Sequence, residues 1–203
     1  MKSIKASTSV ELLINKSTFI NYLIPVSNVD EVKIELEILR KKYNDASHHC
    51  FAYIIGNNQE IQKYSDDGEP SKTAGFPMIE VLKKHDLTNV MNVSVRYFGG
   101  IKLGAGGLVR AYTKGCAESV KKATFTYLAN YTKIIISIPF DQIGNVEKHI
   151  RDSYTLLETK YDENVNYIIN VQTSLLSKLK SELSNLTKGA STIEEIESYD
   201  TYE

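Results

Sequence analysis

The sequence has no tryptophan, only two cysteines and four prolines in 203 residues, and no long apolar run. Cys50 and Cys116 are too few and too far apart to form a disulfide framework, and no pair of cysteines has zinc-site spacing. Reduced thiols follow. The longest apolar stretch, Ile134 to Phe140, contains Ser137 and Pro139 and is too short to span a bilayer. The opening MKSIKASTSVELLINKS lacks the apolar core of a signal peptide, so a cytoplasmic protein without a membrane partner is expected. Net charge is also nearly absent: 24 basic residues against 25 acidic ones leave −1. If that charge were spread evenly, it would argue against a polyanionic partner.

What is present is ordinary in bulk and uneven along the chain. The 42% hydrophobic and 24% charged fractions are those of a folded domain, which excludes disorder. Residues 1–125 carry 17 basic and 13 acidic groups, a net of +4, whereas residues 126–203 carry 7 and 12, a net of −5. Within residues 83–122 there are eight cations and only two acids, Asp86 and Glu118. A basic middle and an acidic tail suggest two domains with separate partners.

The periodicities support that division. Ser9 to Tyr22 suits an opening strand or hairpin, and Asn28 with Glu31 resembles a capping box for a helix to about Tyr43, with Val32, Leu36 and Leu39 inward. CFAYIIG (50–56) alternates as a half-buried strand, with Ile61 to Tyr64 as its partner. Ala74 to Lys84 reads as a helix, Val90 to Phe98 as a strand, and Gly99 to Gly106 as a turn feeding a helix from about Gly107 to Lys122. Beyond residue 128 the order is a strand (134–138), a helix capped by Asp141, and strands at 154–161 and 164–171. A helix capped by Thr173 and a closing strand at 192–199 complete the split βαβ order of ferredoxin-like folds.

Three segments carry candidate chemistry. In SDDGEPSKTAGFP (65–77), Asp66, Asp67 and Glu69 crowd around Gly68; they could hold a divalent metal or supply a base, or they could cap the following helix. In RYFGGIKLGAGGLVRAY (96–112), Gly99, Gly100, Gly104, Gly106 and Gly107 stand between strand and helix. Arg96, Lys102 and Arg110 lie among them and Lys114 just beyond. Backbone amides at a glycine-rich helix start suit a phosphate. The spacing fails both nucleotide fingerprints, since Ala105 stands where a P-loop needs lysine and Val109 where the dinucleotide pattern needs glycine. The alternative is that the glycines allow close packing. In His48-His49-Cys50 neighbouring side chains point to opposite faces of a strand, so at most two could ligate together, and two ligands do not make a site. Either histidine could instead carry a proton.

Together these segments resemble the IMPACT family, in its bacterial YigZ-like branch. NKSTFINYLIPVSN (15–28), DASHHCFAYIIG (45–56), SDDGEPSKTAGFP and LTNVMNVSVRYFGGIKLGAGGLVRAY (87–112) are similar to the family's signatures, and the likeness covers nearly the whole chain. The resemblance implies an α+β protein of two domains, 1–127 and 128–203. The first would have the fold shared by a ribosomal-protein domain and domain IV of elongation factor G. The second would be a ferredoxin-like βαββαβ domain resembling domain V of that factor. Eukaryotic relatives regulate translation initiation by binding an activator of the amino-acid-starvation kinase through an additional domain, so that partnership is not carried over. Family members commonly have arginine where Thr18 stands and lysine at Phe76, while Lys72 replaces a usually small residue.

Two functions are expected from these readings. The first is a non-catalytic, translation-associated protein that needs no cofactor and binds RNA or the ribosome through the basic first domain. Arg96, Lys102, Arg110, Lys114 and the glycine turn would contact phosphate, leaving the acidic second domain to dock proteins. The alternative is a metal-assisted enzyme for a phosphorylated or nucleotide substrate, in which Asp66, Asp67 and Glu69 hold metal or act as base and His48 or His49 moves protons.

Overall fold

A computed structural model describes residues 1–202. They form two compact units, Met1–Leu128 with Tyr202, and Ala129–Thr201. The chain is a mixed α+β protein throughout.

In the first unit the elements are β1 (Lys2–Ile4), β2 (Thr8–Ile14), β3 (Ser17–Pro25), α1 (Val29–Lys42), β4 (His48–Ile55) and β5 (Ile61–Ser65). They continue with α2 (Gly75–Lys84), β6 (Val90–Tyr97) and α3 (Gly104–Lys121). An antiparallel sheet runs β2-β3-β6-β4-β5. The opening hairpin closes through Asn15-Lys16, whose φ angles of 47° and 64° give the two-residue turn that matches strand twist. Asn28 caps α1 through its side-chain oxygen, which accepts from the amides of Asp30 and Glu31, and Glu31 reaches back to the Ser27 amide.

Two cores sandwich this sheet. Ala52 and Ile54 face α2 and α3 with Phe19, Met78 and Tyr112, while Tyr53 and Ile55 face α1 with Val32, Leu36 and Val93. β4 is therefore buried on both faces rather than half-buried, because α2 and α3 cover one side of the sheet and α1 the other. α3 begins one turn earlier than its sequence suggests: Gly104 to Gly107 form its first turn, and the inward stripe Leu108, Ala111, Tyr112, Gly115 and Cys116 holds the helix on the sheet.

The strand expected at 134–138 is the end of a longer one, β7 (Phe125–Ile138). Residues 125–127 pair with β1 and residues 131–138 with β9. Thr126 and Thr132 are buried in it, and Thr132 Oγ1 bonds the hydroxyls of Thr173 and Ser198, so polar residues mask its inward face in the sequence. The second unit continues with α4 (Ile143–Ser153), β8 (Thr155–Tyr161), β9 (Val165–Gln172), α5 (Leu176–Leu186) and β10 (Thr192–Tyr202). Its strands run β10-β7-β9-β8. Ile134, Ile136, Ile138, Val165 and Ile169 pack on Val146, Ile150, Leu179 and Leu183 of the helices. Asp141 and Thr173 do not cap α4 and α5. Each sits in a short 3₁₀ turn ahead of a helix that starts without a side-chain cap, and Thr173 is instead engaged by Thr132.

Candidate functional site

The acidic loop between β5 and α2 is turned inward, and each carboxylate has a separate task. Asp66 caps α2, with Oδ1 accepting from the amides of Ala74 and Gly75 and Oδ2 from that of Lys72. The amides of Ala74 and Gly75 are orphan donors of the helix start, and a carboxylate there also meets the favourable end of the helix dipole. Asp67 accepts from the His49 amide at 2.6 Å and lies 3.6 Å from the Arg40 guanidinium. It holds a φ of 42°, beside Gly68 at 85°.

Glu69 goes deepest. Its Oε1 accepts from Arg96 Nη1 at 2.5 Å and from the Tyr112 hydroxyl at 2.7 Å, with both side chains buried. A buried carboxylate survives only with such partners. Burial, above all, pushes the Tyr112 hydroxyl and the Cys50 thiol up from their usual range, so both remain protonated donors. Cys50 donates to the Asp66 carbonyl, and Arg96 Nη2 donates to Ser17 Oγ, which also accepts the Gly99 amide. One buried polar chain thus ties β3, β4, β6, α3 and the loop together.

The two histidines separate, as strand alternation requires. His48 donates from Nδ1 to the Asp67 carbonyl, which fixes its tautomer, and leaves Nε2 3.9 Å from Glu69 Oε1. His49 is buried on the opposite face, and burial holds its pKa below the usual imidazole value, partly offset by Asp67 and reinforced by Arg40. Among the described residues no three His, Cys, Asp or Glu side chains group to hold a metal ion.

The glycines divide by cause. A Cβ at Gly99 would meet the backbone of Lys16 and Ser17 within 2.6 Å, so this turn packs against the β2–β3 hairpin. Gly100 and Gly104 have φ of 82° and 70° with open space around them, so conformation alone demands glycine. Gly106 and Gly107 lie in the first turn of α3, which has no side-chain cap and no acid.

Acidic loop and glycine turn meet at a cavity of about 360 Å³ lined by Glu69, Pro70, Arg96, Phe98, Lys102, Leu103, Gly104, Ala105 and Leu108. Arg110 and Lys114, one helical turn apart and both exposed, line a neighbouring depression of about 260 Å³ with Ile14, Asn15, Leu103, Gly107 and Ala111. Arg96 is thus a buried, ion-paired cation, while Lys102, Arg110 and Lys114 are exposed ones. Ser17 and Phe98 are parts of the arrangement that the sequence did not single out. A serine opening a β-strand and an aromatic beside glycines carry no spacing signal. Lys72 lies over the Phe76 ring at 5.8 Å, so two of the positions at which the chain departs from its family pattern contact each other.

Residues 15–120 match the family model of the Impact N-terminal domain, and residues 136–190 match a domain of unknown function, DUF1949. The IMPACT family member YvyE of Bacillus subtilis is 40% identical over 95% of this chain and 89% of its own length. The chain belongs to the IMPACT family. The IMPACT family member YigZ of Escherichia coli is 30% identical over 87% of the chain and 88% of its own. Protein IMPACT of Xenopus laevis is 36% identical over 52% of this chain, a third of its own length. A crystal structure of a hypothetical protein superposes with a TM-score of 0.61 at 29% identity, covering 97% of both chains. Every residue lining the two depressions except Ile14 falls within the Impact N-terminal match.

Proposed function

We propose that this IMPACT family member is a translation-associated binding protein whose first unit holds RNA or ribonucleoprotein. The observation that carries the reading is the grouping of three exposed cations, Arg110 and Lys114 along α3 in a depression that reaches Leu103 and Gly107, and Lys102 just ahead of the uncapped helix start. Arg110 and Lys114 stand at i and i+4, where like charges repel and slightly destabilise the helix. An anion bound between them relieves that repulsion. The amides of the first turn and the positive end of the α3 dipole add to the same field.

The split βαβ element order of the second unit supports a likeness to domain V of elongation factor G, and the basic first unit would take the part of domain IV. The acidic second unit is a poor RNA surface and a better protein-docking one. The acidic loop acts in this reading as a bracket for α2 and β6, since all three carboxylates are engaged by amides, guanidinium groups or hydroxyls. That use of Asp66, Asp67 and Glu69 speaks against the alternative of a metal-assisted enzyme.

The test is a titration of a fluorescent single-stranded RNA at several salt concentrations, together with co-sedimentation with ribosomes. Affinity is expected to fall steeply with salt, with a logarithmic slope of about −0.7 for each phosphate contacted. RNA affinity that is absent or indifferent to salt, with no ribosome association, would overturn the reading.

A further inference from the structure

The cavity between the acidic loop and the glycine turn is better furnished than phosphate contact alone requires. At about 360 Å³ it falls within the size range of small-molecule sites, roughly 300–1,000 Å³. Pro70, Phe98, Leu103, Ala105 and Leu108 give it an apolar lining, and Phe98 is 49% exposed beside it. Lys102 and the uncapped first turn of α3 lie at the same cavity. A bare anion would have no use for the apolar lining and the ring. A purely apolar ligand would leave the cation and the helix amides unmatched.

The polar groups within it are selective. Arg96 is only 4% exposed and its Nε is sealed from solvent, so its part at the cavity is to hold Glu69 through Nη1. Both hydrogen bonds made by Glu69 use Oε1, which leaves Oε2 to receive a donor. The ion pair between them cancels the charge that would otherwise repel an anion. A carboxylate oxygen in that position is the acceptor for a nucleobase amino group, the pairing that Asp and Glu make with exocyclic amines.

We propose that this cavity takes one nucleotide unit. The base lies against Phe98 with its amino group toward Glu69 Oε2, and its 5′-phosphate lies at the first turn of α3 beside Lys102. The inference rests on the RNA reading and deepens it. Arg110 and Lys114 hold neighbouring phosphates of a strand, while the cavity holds a single base, and the same chemistry would accept a free mononucleotide.

Calorimetric titration of the full chain with 5′-AMP, adenosine and inorganic phosphate tests it. AMP is expected to bind, with adenosine and phosphate each at least about tenfold weaker. Ala105→Asp places a carboxylate in the first turn of α3, where the helix dipole favours it, so thermal stability is held or raised while AMP binding is lost. Phe98→Leu should weaken AMP by about fivefold or more, the loss of a stacking surface. Unlabelled single-stranded RNA that displaces AMP assigns the site to a strand, and RNA that binds without displacing it assigns the site to free nucleotide.

AMP that fails to bind at millimolar concentration, binds no better than phosphate, or binds Ala105→Asp unchanged overturns the proposal. If RNA still binds in a manner lost in the Arg110→Glu, Lys114→Glu double variant, the RNA reading stands and only the cavity assignment falls. AMP binding lost in Ala105→Asp without any RNA binding overturns the RNA reading instead.

Discussion

The two units solve the problem of a small α+β core with different materials. In the second, Thr132 and Thr187 are the only polar residues buried among those described, and the rest of the core is aliphatic apart from Tyr167. In the first, Glu69, Arg96, Asn21, Asn92, Ser94, Thr88 and Ser119 are all buried alongside the apolar cluster. A polar core is harder to stabilise, because a buried donor or acceptor left without a partner is costly, as Asn21 Oδ1, Asn92 Oδ1 and Ser94 Oγ are here, yet its hydrogen bonds fix positions more tightly than aliphatic packing does. It follows that the first unit is built to place groups and the second to hold a sheet. The exposed cations Lys102, Arg110 and Lys114 and the cavity beside α3 lie with the polar core.

Removing one member of that core should have the largest effect. Glu69→Ala leaves Arg96 buried without its counter-charge and should cost about 3–5 kcal/mol. Hydrogen exchange would show lost protection in β6 and α3 with β9 unchanged. Equal loss in β9 would break the contrast between the units. Asp66→Ala removes the acceptor for two amides at the start of α2 and for the Lys72 amide ahead of it, and should cost about 1–2 kcal/mol in urea unfolding. Asp141→Ala in the second unit, where that acid caps nothing, should stay within about 0.5 kcal/mol.

The smallest effect concerns pH. The folded-state pKa of His49 is lowered from 6.5 by burial, so the unfolded chain binds the proton more readily. Stability from this group is complete above about pH 6.5 and declines as pH falls below it. His49→Asn should flatten that decline, measured as the pH dependence of the unfolding midpoint. A wild-type midpoint unchanged down to pH 5 would contradict the assignment.

Much of this contrast was legible in the sequence, although not evenly. The charge partition pointed to the first unit, and the strand at β6 and the capping pair Asn28 and Glu31 were visible locally. The acidic loop was visible as a cluster, but its purpose was not. Whether Asp66 faces a metal or the amides of α2 depends on the φ values at Asp67 and Gly68, which composition does not encode. Arg96 read as a surface cation because nothing local announces that a residue 27 positions earlier will bury beside it. The start of α3 was placed late because glycines lower helix propensity, while tertiary packing of Leu108 and Tyr112 overrides it. Asp141 and Thr173 had suitable cap chemistry, and intervening 3₁₀ turns moved the helix starts beyond their reach.

The claim that a polyanion belongs to the first unit and not the second is most directly tested by two charge-matched double reversals in the full chain. Arg110→Glu with Lys114→Glu should lower single-stranded RNA affinity by about tenfold or more and reduce the salt slope, whereas Lys148→Glu with Lys178→Glu, on α4 and α5, should leave both nearly unchanged. Equal losses in the two variants would mean that RNA responds only to total charge and would contradict the account.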